Sequence, residues 1–196
     1  MSYAMDQGPR PHLITVDEYH RMAEAGLIAP DARVELIEGV IIDMAPIGPL
    51  HAAAVDRLSK LLTFAVDDRA IVRTQGPLSL ARWSEPQPDI AVLTLRVGSY
   101  AMAHPTGHQA LLVVEVTDSR RPYDFDAKLA LYARHGVREV WIADVSRSEF
   151  HTFRARTDIG YSVVDSTREP GKLEVPSLEG TSVDLTGLFE FDLQPD

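Results

Sequence analysis

Cysteine is absent from the 196 residues, so disulfides, thiolate-ligated zinc and cysteine nucleophiles are all excluded. That absence suits a reducing cytoplasm. Long apolar runs are missing as well. No stretch approaches the roughly 18 residues a membrane-crossing helix needs, and Met1–Pro11 is polar, without the apolar centre of a signal peptide. There is no Walker-type phosphate loop, no Gly-x-Gly-x-x-Gly and no Gly-x-Ser-x-Gly elbow. The seven histidines show no ligand spacing of the His-Glu-x-x-His kind. Basic charge is scarce, with 19 Lys and Arg against 29 Asp and Glu and a net charge of −10. Phosphate contacts need cations, so this balance counts against a broad DNA-binding face. It leaves room for a compact acidic metal site. A soluble cytoplasmic protein that does not enter membranes is expected.

What remains is a chain with 45% hydrophobic residues, enough for one well-buried core. Thr15-Val16-Asp17-Glu18 is a capping box that starts a helix running to about Ala25, with Gly26 suited to its C-terminal turn. Val34 to Ile42 read as a hairpin turning at Gly39, and Gly48-Pro49 as loop punctuation. From His51 to Asp67, Val55, Leu58, Leu61, Leu62 and Ala65 recur at helical spacing. Strands are predicted at Ile71–Thr74, Leu78–Trp83 and Asp89–Leu95, followed by a loop from Arg96 to Gln109. Ala110–Val116 is a continuous apolar run broken by one carboxylate, the pattern of a strand buried on both faces. A helix over Asp124–His135, a buried strand over Val137–Val145 and a meander through Phe153, Tyr161–Val164 and Leu173–Val175 complete the order. The expectation is a mixed central sheet flanked by helices. A single domain over residues 13–189 is expected, between a flexible N-terminus (1–12) and a flexible tail (190–196).

Two carboxylates stand where core strands should be apolar. Asp89 follows Pro88 and opens Ile90-Ala91-Val92-Leu93, and Glu115 interrupts Leu112-Val113-Val114 and Val116. Burying a carboxylate without a partner costs several kcal/mol, so each needs a cation, a donor network or an opening to solvent. Asp89 also reads as a plain strand-start residue, and Glu115 as one half of a salt bridge to Arg120 or Lys128. Lys128 lies on the following helix, where it is either a solvated lysine or an ammonium leaning back over the strand end to orient a water. Glu35 and Glu38 are three apart on a strand and face opposite sides, so at most one points inward. His51, at a helix start, reads either as a surface residue, the favoured reading, or as a contact to a substrate phosphate. An all-oxygen set of Asp and Glu favours Mg²⁺ or Mn²⁺.

Taken in order, these pieces resemble the PD-(D/E)xK nuclease superfamily with its restriction-endonuclease-like fold, and within it the Uma-type family of restriction endonucleases. The matching stretches are Thr15–Tyr19, Glu35–Gly39, Pro88-Asp89-Ile90, Val113–Val116, Tyr123-Asp124, Lys128–Ala133, Gly136-Val137 and Val140–Asp144, spread over Leu13 to Phe189. The resemblance implies that Asp89 and Glu115 bind a divalent metal, that Glu35 is an outer acid of the site and that Lys128 is the catalytic lysine. It departs from the superfamily pattern at Thr117, where a lysine is usual two residues after the acid. The implied reaction is Mg²⁺-dependent phosphodiester hydrolysis with DNA as substrate, performed by a homodimer if both strands are cut. The contrasting reading is a nuclease-fold module without effective catalysis that binds a partner protein or nucleic acid. Thr117 and the net charge favour it; the acid pair and Lys128 oppose it.

Overall fold

The computed structural model describes residues 11–118 and 123–191, with the side chains of residues 123–125 outside that description. Arg120, one of the two partners expected for Glu115, lies outside it too.

Helix α1 (Val16–Glu24) begins as its sequence requires. The Thr15 hydroxyl accepts from the Glu18 backbone N–H, and the Glu18 carboxylate accepts from the Thr15 N–H at 2.8 Å. Strands β1 (Val34–Ile37) and β2 (Val40–Asp43) pair antiparallel around Glu38 and Gly39, both at positive φ. Such a two-residue turn matches the right-handed twist of its strands. A side chain at Gly39 would meet the Cβ of Leu13 at 2.6 Å, so the hairpin also needs glycine for close approach. Helix α2 (Pro49–Val66) starts earlier than expected: Pro49 is its first residue rather than loop punctuation, a position where its missing N–H has no cost.

Six strands form the central sheet in the order β3 (Ala70–Thr74), β4 (Ile90–Thr94), β5 (Ala110–Thr117), β6 (Val140–Asp144), β7 (Glu149–Thr157) and β8 (Gly160–Thr167). Only β5 and β6 run parallel, joined by helix α3 (Tyr123–Arg134), and the other neighbours are antiparallel. Alternation along β5 sends Leu112, Val114 and Val116 into the core under α2, with Leu58, Leu62 and Trp141. Val113 goes to the opposite face, into the core under α3 with Tyr132, Val137 and Ile142. Glu115 and Thr117 share the parity of Val113 and face α3. All eight residues of β5 are buried.

Two departures from expectation have local causes. Leu78–Trp83 is not a strand, because its backbone donors go to scattered acceptors and not to one partner strand: Leu78 N–H donates to Pro86 O, Ser79 N–H to Pro105 O, and Leu80 and Ala81 N–H to Ser84 O. The C-terminal third is not one meander. β7 and β8 extend the central sheet, whereas Leu173 and Val183 belong to a separate ribbon of β9 (Lys172–Glu174) and β10 (Ser182–Asp184). Near the end of the described residues, Arg57 donates to the carbonyls of Gly187, Leu188 and Glu190 and lies over the Phe191 ring. Among the described residues no helix is long and apolar enough to cross a membrane.

Candidate metal centre

The register of β4 against β5 pairs Ile90 with Val114, so one step further Asp89 meets Glu115 at the strand ends. Two hydrogen bonds fix this meeting. Val116 N–H donates to Asp89 Oδ2 at 2.9 Å, and Asp89 N–H donates to Glu115 Oε2 at 3.4 Å. The segment leading into β4 is Glu85-Pro86-Gln87-Pro88-Asp89. Its prolines hold an extended path and carry no N–H, so donors remain at alternate residues. Glu85 N–H pairs with Leu36 O of β1, and Gln87 N–H donates to Glu35 Oε2 at 3.1 Å. Glu35 and Glu115 are therefore both held by main-chain donors of one segment.

Helix α3 closes the site from the other side. Lys128 and Tyr132 are four residues apart and share one helix face. Lys128 Nζ lies 2.9 Å from Glu35 Oε2 and 3.5 Å from Glu115 Oε1, with a side chain only 15% exposed. The buried Tyr132 hydroxyl donates to Glu115 Oε1 at 2.6 Å. Burial pushes the Glu115 carboxyl up to about 7; the Lys128 ammonium opposes this and the Asp89 charge adds to it. Burial alone would lower the Lys128 ammonium, but the Glu115 and Glu35 carboxylates outweigh it and hold the pKa above the usual lysine range. Burial, with the same two carboxylates, also raises the Tyr132 phenol.

His51 is not a surface residue, contrary to expectation. Because α2 begins at Pro49 and buries Ala54, Val55 and Leu58, its first turn lies over the strand ends. His51 Nε2 sits 3.1 Å from Asp89 Oδ1, and the imidazole pKa is raised, chiefly by that hydrogen bond against the effect of burial.

Glu35, Asp89, Glu115 and Lys128 are thus brought to one place, while Glu38 turns away, exposed and paired with Arg134. Tyr132, His51 and Gln87 join them and were not foreseen. The four-residue step from Lys128 to Tyr132 was the one local signal for any of these. Nor did sequence spacing reveal that His20, Glu85 and His104 meet. Among the described residues they are the one group of three His, Asp or Glu side chains whose ligand atoms all lie within 4.8 Å of one another. Glu35, Asp89 and Glu115 do not form such a group, since Lys128 stands between Glu35 and Glu115.

The donor chemistry of the acid pair fits a hard divalent cation. Among the hydrogen bonds of the described residues, Asp89 Oδ1, Asp89 Oδ2 and Glu115 Oε2 each take part in one, which leaves carboxylate lone pairs for a cation. A buried carboxyl pushed up by burial gains most from a cation.

The profile of the Uma2 family, described as "Putative restriction endonuclease", matches residues 16–186. The chain belongs to the Uma2 family. A crystal structure of a "putative nuclease belonging to DUF820" from Anabaena variabilis superimposes on this Uma2 chain with a TM-score of 0.72, covering 90% of it and 98% of the other, at 19% identity. That likeness establishes a nuclease-like fold. A comparison with curated proteins finds no match.

Proposed function

We propose that this Uma2-family chain is a divalent-metal-dependent endodeoxyribonuclease that hydrolyses phosphodiester bonds at Asp89, Glu115 and Lys128. The observation that carries this reading is the Lys128 ammonium, held by Glu35 and Glu115 beside the Asp89–Glu115 pair although Thr117 occupies the usual lysine position. Asp89 and Glu115 would hold Mg²⁺ or Mn²⁺, which when bound activates water and neutralises phosphate charge. Lys128 positions the attacking water or stabilises charge developing on the attacked phosphate. Glu35 fixes the ammonium, Tyr132 fixes Glu115, and His51 fixes Asp89 from the α2 side.

One observation favours the module reading instead: the Lys128 ammonium already pairs with two of the buried acids, Glu35 and Glu115. Plasmid cleavage with Mg²⁺ or Mn²⁺, comparing the wild type with Asp89→Ala and Lys128→Met, separates the two. The enzyme reading expects nicking or linearisation that Asp89→Ala abolishes and Lys128→Met slows by about a hundredfold to a thousandfold. Metal binding by the wild type with no cleavage of plasmid or single-stranded DNA would establish the module.

A further inference from the structure

His20 on α1, Glu85 ahead of β4 and His104 in the loop after β4 converge at the protein surface, and we propose that they form a second metal site, specific for a transition metal of the Zn²⁺ class. The three ligand atoms lie within 4.8 Å of one another, and the two imidazole rings stand edge to face with centroids 6.2 Å apart. His20 Nε2 and Glu85 Oε1 already touch at 2.6 Å. Opening that contact by roughly 0.7 Å, to the ~3.3 Å that separates two tetrahedral ligands of zinc, is a side-chain adjustment for a histidine 43% exposed and admits an ion between them.

The environment of Glu85 points to a cation. Its side chain is 4% exposed, and among the described residues its ion-pair partner is His20 alone, with no lysine or arginine. A divalent ion between this carboxylate and the imidazoles would supply fixed positive charge at a place where no lysine or arginine of the described residues pairs with it. His104 is exposed, stands edge to face with the His20 ring and among the described residues makes no hydrogen bond, so its nitrogens are free to ligate.

Two imidazoles and one carboxylate are a borderline set that selects Zn²⁺, Co²⁺ or Ni²⁺ over Mg²⁺, the reverse of the all-oxygen pair at Asp89 and Glu115. Three protein ligands leave a fourth position for water on the exposed side. Glu85 and Asp89 lie four residues apart on one extended segment, on the order of 13 Å, so the centres are separate. An ion at the histidine site ties α1 and the loop after β4 to the segment that delivers Asp89.

This proposal stands without the nuclease reading, and the test keeps them apart. Zn²⁺ and Co²⁺ are titrated by calorimetry into the metal-stripped full chain, with Co²⁺ visible absorption reporting nitrogen ligation. With excess Mg²⁺ present throughout to occupy the acid pair, the expected result is one equivalent of Zn²⁺ bound at the histidine site by wild type and equally by Asp89→Asn. At a hundredfold excess over Kd, Zn²⁺ should raise Tm by roughly 5–10 °C. His104→Ala, at an exposed position that folding tolerates, and His20→Asn should each weaken binding about tenfold or more. Absence of Zn²⁺ binding, affinity unchanged in His104→Ala, or loss of binding in Asp89→Asn would each overturn the site.

Discussion

Replacing Lys128 by Met retains the stem of the side chain and deletes the charge that separates Glu35 from Glu115. Both carboxylates are more than nine-tenths buried, and the ammonium contacts them at 2.9 and 3.5 Å. Removing one partner of a buried ion pair costs about 3–5 kcal/mol because the other charge is left unpaired. The lower end applies here, since Glu115 already titrates near 7 and without Lys128 takes up a proton instead. A loss of about 3 kcal/mol corresponds to a fall in Tm of roughly 6–12 °C for a domain of this size. Mg²⁺ should restore more of that loss in Lys128→Met than it adds to wild type, because the ion then meets two acids with no competing ammonium. Cleavage should fall independently by about a hundredfold to a thousandfold, the effect of losing one well-placed transition-state charge. Thermal melts with and without Mg²⁺, alongside single-turnover cleavage, measure both. A variant as stable as wild type would refute the ion-pair argument. A variant that cuts as fast would refute the catalytic assignment even if its stability falls.

The raised Glu115 pKa has a defined sign: the folded chain binds this proton more tightly than the unfolded one, so stability of the metal-free protein falls as pH rises from 4.5 through about 7. Urea unfolding across that window should show Glu115→Gln losing about 3 kcal/mol of the wild-type pH dependence, and identical slopes would contradict the assignment. Tyr132→Phe deletes the 2.6 Å donor to Glu115 and should cost about 1.5–3 kcal/mol at pH 8, with metal affinity altered and the fold retained by circular dichroism. Gly39→Ala meets both a positive φ and Leu13, so denaturant unfolding should register a loss of about 1–3 kcal/mol; a neutral substitution would mean the hairpin seat is looser than described.

Local signals carried most of the fold. The capping box at Thr15 and Glu18, the Gly39 turn and the apolar run of β5 are each set by neighbours within a few residues, and each element stands where its residues predict. Glu115 was conspicuous because a carboxylate in such a run demands compensation. Tyr132 was not, since an aromatic residue on the inner face of a helix is most simply a core residue, and only tertiary packing aims its hydroxyl at Glu115. His51 was misplaced by two residues of helix start. Leu78–Trp83 has strand-like composition, but its donors divide between Pro86, Pro105 and a chain reversal at Ser84, none of which periodicity marks. His20, Glu85 and His104 are too far apart in sequence for any spacing rule.

The acids are restrained at one end by main-chain amides: those of Gln87, Asp89 and Val116 hold Glu35, Glu115 and Asp89 in turn. An amide donor cannot be removed by a side-chain substitution unless proline replaces it. The Gln87 and Val116 side chains can therefore drift without releasing the carboxylates, and the fragile positions are Pro86 and Pro88, which contribute no functional group at all. Substitutions along that short extended segment can change its other side chains and leave the three carboxylates aimed as they are, so long as its path survives; Lys128 and Tyr132 are the side chains whose loss the acids feel.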